Sequence, residues 1–459
     1  MQVRASSGRS FRVLLWAVVA ALLGAGGLVA WQLRLTHTHE PGKVPLEPVA
    51  ATRLREDVRV LAGVDEPELT ALLEPDAAVA ELAARAAQGA RSDQEKAQRI
   101  VEAIAARRQA RAFADWSRVD ARPGLPLTAA GVARSVALDA AERKLYPLEV
   151  AALAVAALRQ LEVPALLAEV FAFPGELRPV DPSGRFGYFA VFVPAAGGGS
   201  GRVYDAYLGR SEAPNPADVS VLNDAQAVGA ALALRAMDAL QNRLELDGAQ
   251  RDAETALKLL PSSPSTHGVL ASVLLSRAET ERGKAELDQA LALRPDAARR
   301  NNLALFALTR MDAMAAGREL GDTLKHYPEF AYAHTTYAAA SMILMSYKVA
   351  GEHLDLAEKA DPELPLVPQL WAQLLAAKGE LNEALLMGRK AVQQRPNDAQ
   401  PLYILARIER SLNLKEDLRK HAAQILELTP RPQREGRKLH LQSVLGEDAV
   451  PEQGSAEKL

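Results

Sequence analysis

The sequence predicts a mainly α-helical chain: a solenoid of about six helical hairpins, preceded by a smaller α+β domain and one membrane-spanning helix. Three observations carry this. Pro261, Pro295, Pro328, Pro362, Pro396 and Pro430 recur at intervals of 34, 33, 34, 34 and 34 residues, the spacing of a stacked repeat array. Between Leu54 and Tyr207, helical periodicity gives way to short runs rich in Val, Phe and Tyr. Val13 to Trp31 is a stretch of 19 residues without a charge.

With each proline set at position 32, the other repeat positions fall into line. Positions 8 and 20, where two antiparallel helices touch, read Ala271 and Gly283, Ala304 and Ala316, Ala338 and Ala350, Ala372 and Ala384. Position 27 reads Ala256, Ala290, Ala357 and Ala391, with Thr323 and Ile425 as exceptions. Bulkier apolar residues hold position 7: Leu270, Leu303, Tyr337, Trp371 and Leu405. The proline ends the second helix by removing a backbone donor and restricting the residue before it. Gly379 supplies the turn between helices, where a positive φ is needed.

These positions closely resemble the tetratricopeptide family over residues 228–430, within an array assigned to 223–430. The first unit, with Met237 at position 8, and the last, with Leu418 at position 20, are the least regular, as ends without a neighbour must be. The resemblance implies that the first helix of each hairpin lines a concave groove for a protein or peptide partner. Position 5 there runs Asn301, Thr335, Gln369 and Tyr403, and position 9 runs Leu305, Ala339, Gln373 and Arg407. Asn301, Thr335, Gln369, Tyr403, Gln373 and Arg407 are the expected partner contacts. The Lys and Asn pattern that clamps a terminal carboxylate in some members is missing.

The charge-free run from Val13 to Trp31 nearly crosses a hydrocarbon core of about 30 Å at ~1.5 Å per residue. Trp16 and Trp31 stand towards its ends, and Arg4, Arg9 and Arg12 precede it. The expectation is an uncleaved anchor with residues 1–12 cytoplasmic and the bulk of the chain in a bacterial periplasm. Cleavage after Gly27 is the alternative, because Ala25-Gly26-Gly27 offers small residues. The chain has no cysteine, which excludes a lipoprotein anchor, disulfides and a thiol nucleophile together. A net charge of −3 with dispersed signs gives no basic footprint for nucleic acid.

Residues 32–53 read as a linker, and its His37-Thr38-His39-Glu40 offers too few ligands for a metal site without a second cluster. Residues 54–222 form the α+β domain. Leu54 to Ala112 is amphipathic helix, and Pro147 to Leu161 is a nearly all-apolar helix that must be central to a core. Pro164–Phe173, Gly187–Val193 and Arg202–Tyr207 read as strands of one antiparallel sheet, with Gly197–Gly201 as a hairpin loop. That loop lacks the Gly-Lys-Ser/Thr ending of a phosphate cradle.

A buried helix followed by three such strands resembles the transglutaminase-like core over residues 90–215. The resemblance implies a Cys at the helix start, a His opening the next strand and an Asp in a later one. Here those positions hold Pro147, Tyr188 and Asp205. Proline is no nucleophile and tyrosine no proton shuttle at neutral pH, so the expectation is a pseudoenzyme, not an enzyme. Nothing calls for a cofactor or a metal.

After Pro430, the Arg431, Arg434, Arg437 and Lys438 cluster leads into Leu439, Leu441 and Leu445, a capping helix within the tail 431–459, with residues 446–459 expected to be disordered. The sequence-level reading is a membrane-anchored, extracytoplasmic interaction scaffold. Two alternatives stay open: a structural subunit of a homo-oligomeric or hetero-oligomeric envelope assembly, and a hydrolase or transferase with a non-standard site.

Overall fold

A computed structural model of the chain describes residues 45–107, 128–137, 145–173, 180–195, 201–213, 215–243, 245–396, 398–429 and 433–450. The expected anchor 13–31 lies outside the described residues, as do His37–Glu40, most of the Gly197–Gly201 loop and the tail beyond residue 450. Among the described residues, no helix is long and apolar enough to cross a membrane. Val44–Leu459 forms one compact unit.

Four helical segments open it: α1 (Ala51–Ala62), α2 (Pro67–Thr70), α3 (Ala77–Ala86) and α4 (Asp93–Arg107). The helix therefore starts inside the stretch expected to be linker. Asp76 caps α3 by accepting from the Val79 amide at 3.0 Å. Then come α5 (Ala129–Ala137) and α6 (Pro147–Gln160). Helix α6 is buried from Pro147 through Leu158, because it is wrapped by α3, α4, α5 and the sheet. The run from Val150 through Leu158 is wholly apolar and has no solvent face to offer, so this helix can exist only as a core element.

Among the described residues the sheet has five antiparallel strands: β1 (Leu166–Val170), β2 (Phe189–Val193), β3 (Arg202–Asp205), β4 (Arg210–Glu212) and β5 (Val219–Leu222). Their spatial order is β4-β3-β2-β1-β5. Three of these match the expected runs, and the two short edge strands, β4 and β5, are additional. The inner strand β1 pairs with β2 through Leu167 and Val191 and with β5 through Leu167 and Leu222. It is buried along its whole length, as a strand covered on both faces must be.

Six helical hairpins follow: α7 (Asp224–Asp238) with α8 (Leu246–Leu259), α9 (Pro264–Ser276) with α10 (Thr280–Leu293), α11 (Ala297–Thr309) with α12 (Ala313–His326), α13 (Ala331–Ile343) with α14 (Tyr347–Ala360), α15 (Leu366–Lys378) with α16 (Leu381–Gln394), and α17 (Ala399–Ser411) with α18 (Lys415–Leu428). The small residues sit at the helix crossings. Ala271, Ala304, Ala338 and Ala372 are fully buried, as are Ala316, Ala350 and Ala384. At Gly283 an added Cβ would lie 2.7 Å from the Leu275 side chain, so the crossing admits nothing larger. The turns repeat as well: Ala278, Met311, Met345, Gly379 and Asn413 all have positive φ, between 54° and 83°. Gly379 and, more weakly, Asn413 announce this in the sequence.

The chain closes with α19 (Arg434–Leu445). Leu441 and Leu445 are buried against Leu402, Ala406 and Leu418 of the last hairpin. Leu439, expected to join them, is 60% exposed, because its helical offset points it away from α17 and α18. Ala449 and Val450 also pack into this cluster, so the capping structure extends beyond residue 446, where disorder was expected.

Within three hairpins the residues at positions 4 and 23 form a polar pair. His267 contacts Glu286 at 2.6 Å, Arg300 contacts Glu319 at 3.8 Å, and His334 contacts His353 at 2.9 Å between their Nδ1 atoms. His334 Nε2 meets the Pro328 carbonyl at 2.8 Å and so must donate to it; its Nδ1 then accepts from His353. Burial, then the facing His334, pushes the His353 pKa down to about 4, and burial pushes His334 down too. Between the unfolded value of ~6.5 and about 4, the unfolded chain binds protons that the folded one does not, so stability falls as pH falls. With solvent screening of the half-buried ring, the loss is on the order of 1–2 kcal/mol. Thermal unfolding from pH 7 to 4.5 should register it, and His334→Leu with His353→Phe should flatten the slope even if the variant is less stable at pH 7.

Candidate partner-binding groove

The residues at position 9 and its neighbours line a cavity of about 670 Å³ across the third to sixth hairpins. Leu308, Met342, Ile343, Ile404 and Ile408 supply its apolar walls. Gln373 and Arg407, two of the expected contacts, bring polar groups to the same cavity, together with Ser411. Arg407 is exposed, and its guanidinium has no hydrogen-bond or ion-pair partner among the described residues.

The four position-5 residues do not line this cavity, and each has a local reason. Asn301 is 2% exposed, in the stretch of α11 that the α+β domain covers. Thr335, equally buried, turns back to donate its hydroxyl to the Tyr332 carbonyl at 2.8 Å. Gln369 accepts from Arg395, which also pairs with Asp398 at 3.0 Å. Tyr403 stacks on His440 of the capping helix, ring centroids 5.8 Å apart. The expected ladder is thus a line of internal contacts rather than an open surface.

The first part of the groove is filled by the chain itself. The loop 181–187 winds around one carboxylate: Asp181 accepts from the amides of Ser183, Phe186 and Gly187 at 2.9–3.0 Å. It seats on α9 and α11. Asn302 donates to the Ser183 carbonyl at 2.9 Å, and a Cβ added at Gly268 would lie 2.6 Å from the Gly184 carbonyl oxygen. Gly268 is position 5 of its unit, so glycine there is what lets the loop in. Beside it Glu169 of β1, fully buried, accepts from Ser263 at 3.0 Å; burial pushes its carboxyl above the usual range. Arg294 adds a hydrogen bond to the Ala217 carbonyl at 2.7 Å and pairs with Asp218.

In the α+β domain the residues at the two later triad positions meet. Tyr188, 1% exposed, donates its hydroxyl to both Asp205 oxygens at 2.9 and 3.0 Å. Asp205 also accepts from the amides of Tyr207 and Leu208 at 2.9 and 3.2 Å and faces Arg210 at 3.6 Å. Burial pushes the Asp205 carboxyl up against these contacts, and burial, then the Asp205 charge, pushes the Tyr188 phenol well up. Such a phenol is neutral across the physiological range and cannot serve as a base there. Pro147 stands at the first position of α6, where Glu149 accepts from the Tyr146 amide at 3.0 Å and completes the cap. Among the described residues, no three His, Asp or Glu side chains converge to hold a metal.

The second half of the chain folds as a stack of antiparallel helical hairpins. No family model matches the sequence, and no curated protein does. Solved structures similar to part of the chain include pilF of Pseudomonas aeruginosa, 20% identical over 47% of this chain and 97% of that one, with a TM-score of 0.34. PilW, a type IV pilus biogenesis factor, is 20% identical over 46% of this chain and 98% of that one, with a TM-score of 0.36. A TPR protein of Thermus thermophilus, TTC0263, is 16% identical over 40% of this chain and 99% of that one, with a TM-score of 0.37. None of these likenesses bears on what this chain binds.

Sequence reasoning missed the seated loop, and one signal for it existed. Reading the position-5 series backwards from Asn301 reaches Gly268, a residue with no side chain in a line otherwise of polar side chains.

Proposed function

We propose that the chain is a protein-interaction scaffold that holds a partner in the open, second half of its groove. The observation that carries the reading is the cavity of about 670 Å³, apolar in its walls, with Gln373 and Arg407 set into it. Concave sites of this size with few polar groups are the common form of binding sites. In the same reading, residues 13–31 anchor the chain in a membrane with the bulk outside the cytoplasm. The α+β domain is a catalytically inactive relative of the transglutaminase-like fold. What supports that last point is that proline, a neutral tyrosine and a fully engaged aspartate stand at the three catalytic positions.

The test is cross-linking and recovery of tagged full-length protein from its native membrane, beside a variant carrying Gln373→Ala, Arg407→Ala and Ile404→Asp. A partner recovered with the parent and lost with the variant is the expected result. Thr335→Ala, a buried position-5 control, should leave recovery unchanged. The same partners recovered with the parent and with the cavity variant would remove the groove from the function.

A further inference from the structure

We infer that the occupant of the open groove is an amphipathic α-helix that turns an apolar face into the cavity and a carboxylate towards Arg407. This rests on the proposed scaffold reading and adds the chemistry of the partner. The cavity walls come from α11, α13, α15, α16 and α17. Backbone groups within a helix are already paired, so the walls offer no strand edge on which an extended peptide could add.

An extended occupant would bring about one unpaired donor and one unpaired acceptor per residue into an apolar trough. The side chains able to meet them are few. Gln373 has an amide, but the Ser411 hydroxyl already donates to the Arg407 carbonyl at 3.1 Å. Asn302, whose amide could have held a partner's backbone, is used by the Ser183 carbonyl of the chain's own loop. A helix pairs its backbone internally and needs only an apolar stripe at three- and four-residue steps.

Exposed apolar side chains also neighbour the cavity residues in sequence. Leu305 lies one turn before Leu308, and Leu344 and Met345 directly follow Ile343; they are 40%, 47% and 74% exposed. Met311, at the equivalent turn of the preceding hairpin, is 69% exposed. Exposed apolar groups of this kind suit the flank of a helix longer than the cavity itself, and methionine adapts to its contours. Charge then fixes the orientation. Arg407 projects into the cavity without a partner among the described residues, and Arg410, close by on the same helix, is exposed and likewise unpaired among them. An unpaired cation at the edge of an apolar trough selects an occupant with an acidic group at that point.

The experiment is a selection on full-length protein in detergent micelles with two displayed peptide libraries of equal diversity. One carries leucine at helical spacing with all other positions random; the other is fully random. Binders are expected from the patterned library, with Asp or Glu recurring at one place. Arg407→Glu should weaken them about tenfold. A peptide with Lys replacing that acid should regain affinity for the Arg407→Glu protein, which excludes misfolding as the cause. Proline-rich or extended binders, binders indifferent to Arg407→Glu, or none from either library would each overturn the inference. Self-association by light scattering that Arg407→Glu abolishes would make a second copy the occupant and overturn it too. Loss of a native partner with the cavity variant, alongside any of these results, would leave the scaffold standing and remove only the helix.

Discussion

Asp205→Ala is expected to unfold or strongly destabilise the α+β domain, by about 3–5 kcal/mol, rather than to remove an activity from an intact fold. The carboxylate is fully buried and accepts from the Tyr188 hydroxyl and from two backbone amides. Its removal takes away the acceptor shared by the Tyr188 hydroxyl and the Tyr207 and Leu208 amides, and the carboxylate that faces Arg210. Asp205→Asn keeps an acceptor for part of this set and should cost less. Urea unfolding followed by near-ultraviolet dichroism would read the Tyr188 and Tyr207 environment directly. A variant that folds with parental stability but loses a measurable hydrolase or transferase activity would reverse the reading and make Asp205 catalytic.

Arg159→Met is expected to cost a similar amount, about 3–5 kcal/mol. Arg159 holds Asp224 with two hydrogen bonds of 2.7 and 2.9 Å and reaches the Ala165 carbonyl at 2.9 Å. Asp224 is 1% exposed and also accepts from the Val49 amide at 2.9 Å. One ion pair therefore joins the end of α6, the approach to β1, the first turn of α7 and the segment before α1. Removing the cation leaves an uncompensated buried charge, which is the costly half of such a pair. Arg159→Met combined with Asp224→Leu removes both charges and should recover much of the loss, since an apolar pair of similar volume is tolerated where a lone ion is not. If the double variant is no more stable than the single one in urea titration, the cost lies in packing rather than in the orphaned carboxylate.

The repeat was legible because its determinants are local and periodic. A small residue at Ala304 and Ala316 is demanded by a crossing within one hairpin, and the same demand returns 34 residues later at Ala338 and Ala350. Helix α6, apolar from Val150 through Leu158, and the three inner strands were legible for a related reason: burial on every side leaves runs dominated by apolar residues. Strand β4, Arg210–Glu212, carries no such pattern, since it is a half-buried edge of polar residues. The groove was legible as a face but not as a free surface. Asn302 meets Ser183 across 119 positions and Glu169 meets Ser263 across 94, and no periodicity encodes contacts that distant. Gln373 and Arg407 lie where position 9 put them, while Tyr403 is covered by α19, a neighbour that the repeat numbering does not include.

The first hairpin does not have a core of its own, and the second shares its first helix with the same body. The first hairpin and the α9 residues Val269, Leu270, Val273 and Leu274 belong to one continuous cluster that begins at Leu54 and includes α6 and the sheet, whereas Ala271 and Leu287 join Phe306 and the later hairpins are held by small separate clusters. In a stack where each unit leans on its neighbours, this gives the molecule a grain. One end is clamped into a large body and the other is closed only by a single helix, so loosening has a preferred direction of travel. Mechanical pulling or slow thermal fraying would peel the chain from α19 backwards, and the open part of the groove would soften before the part that its own loop has filled. The site proposed to receive a partner thus lies in the stretch best able to reshape itself around one, with the clamped end serving as its fixed point.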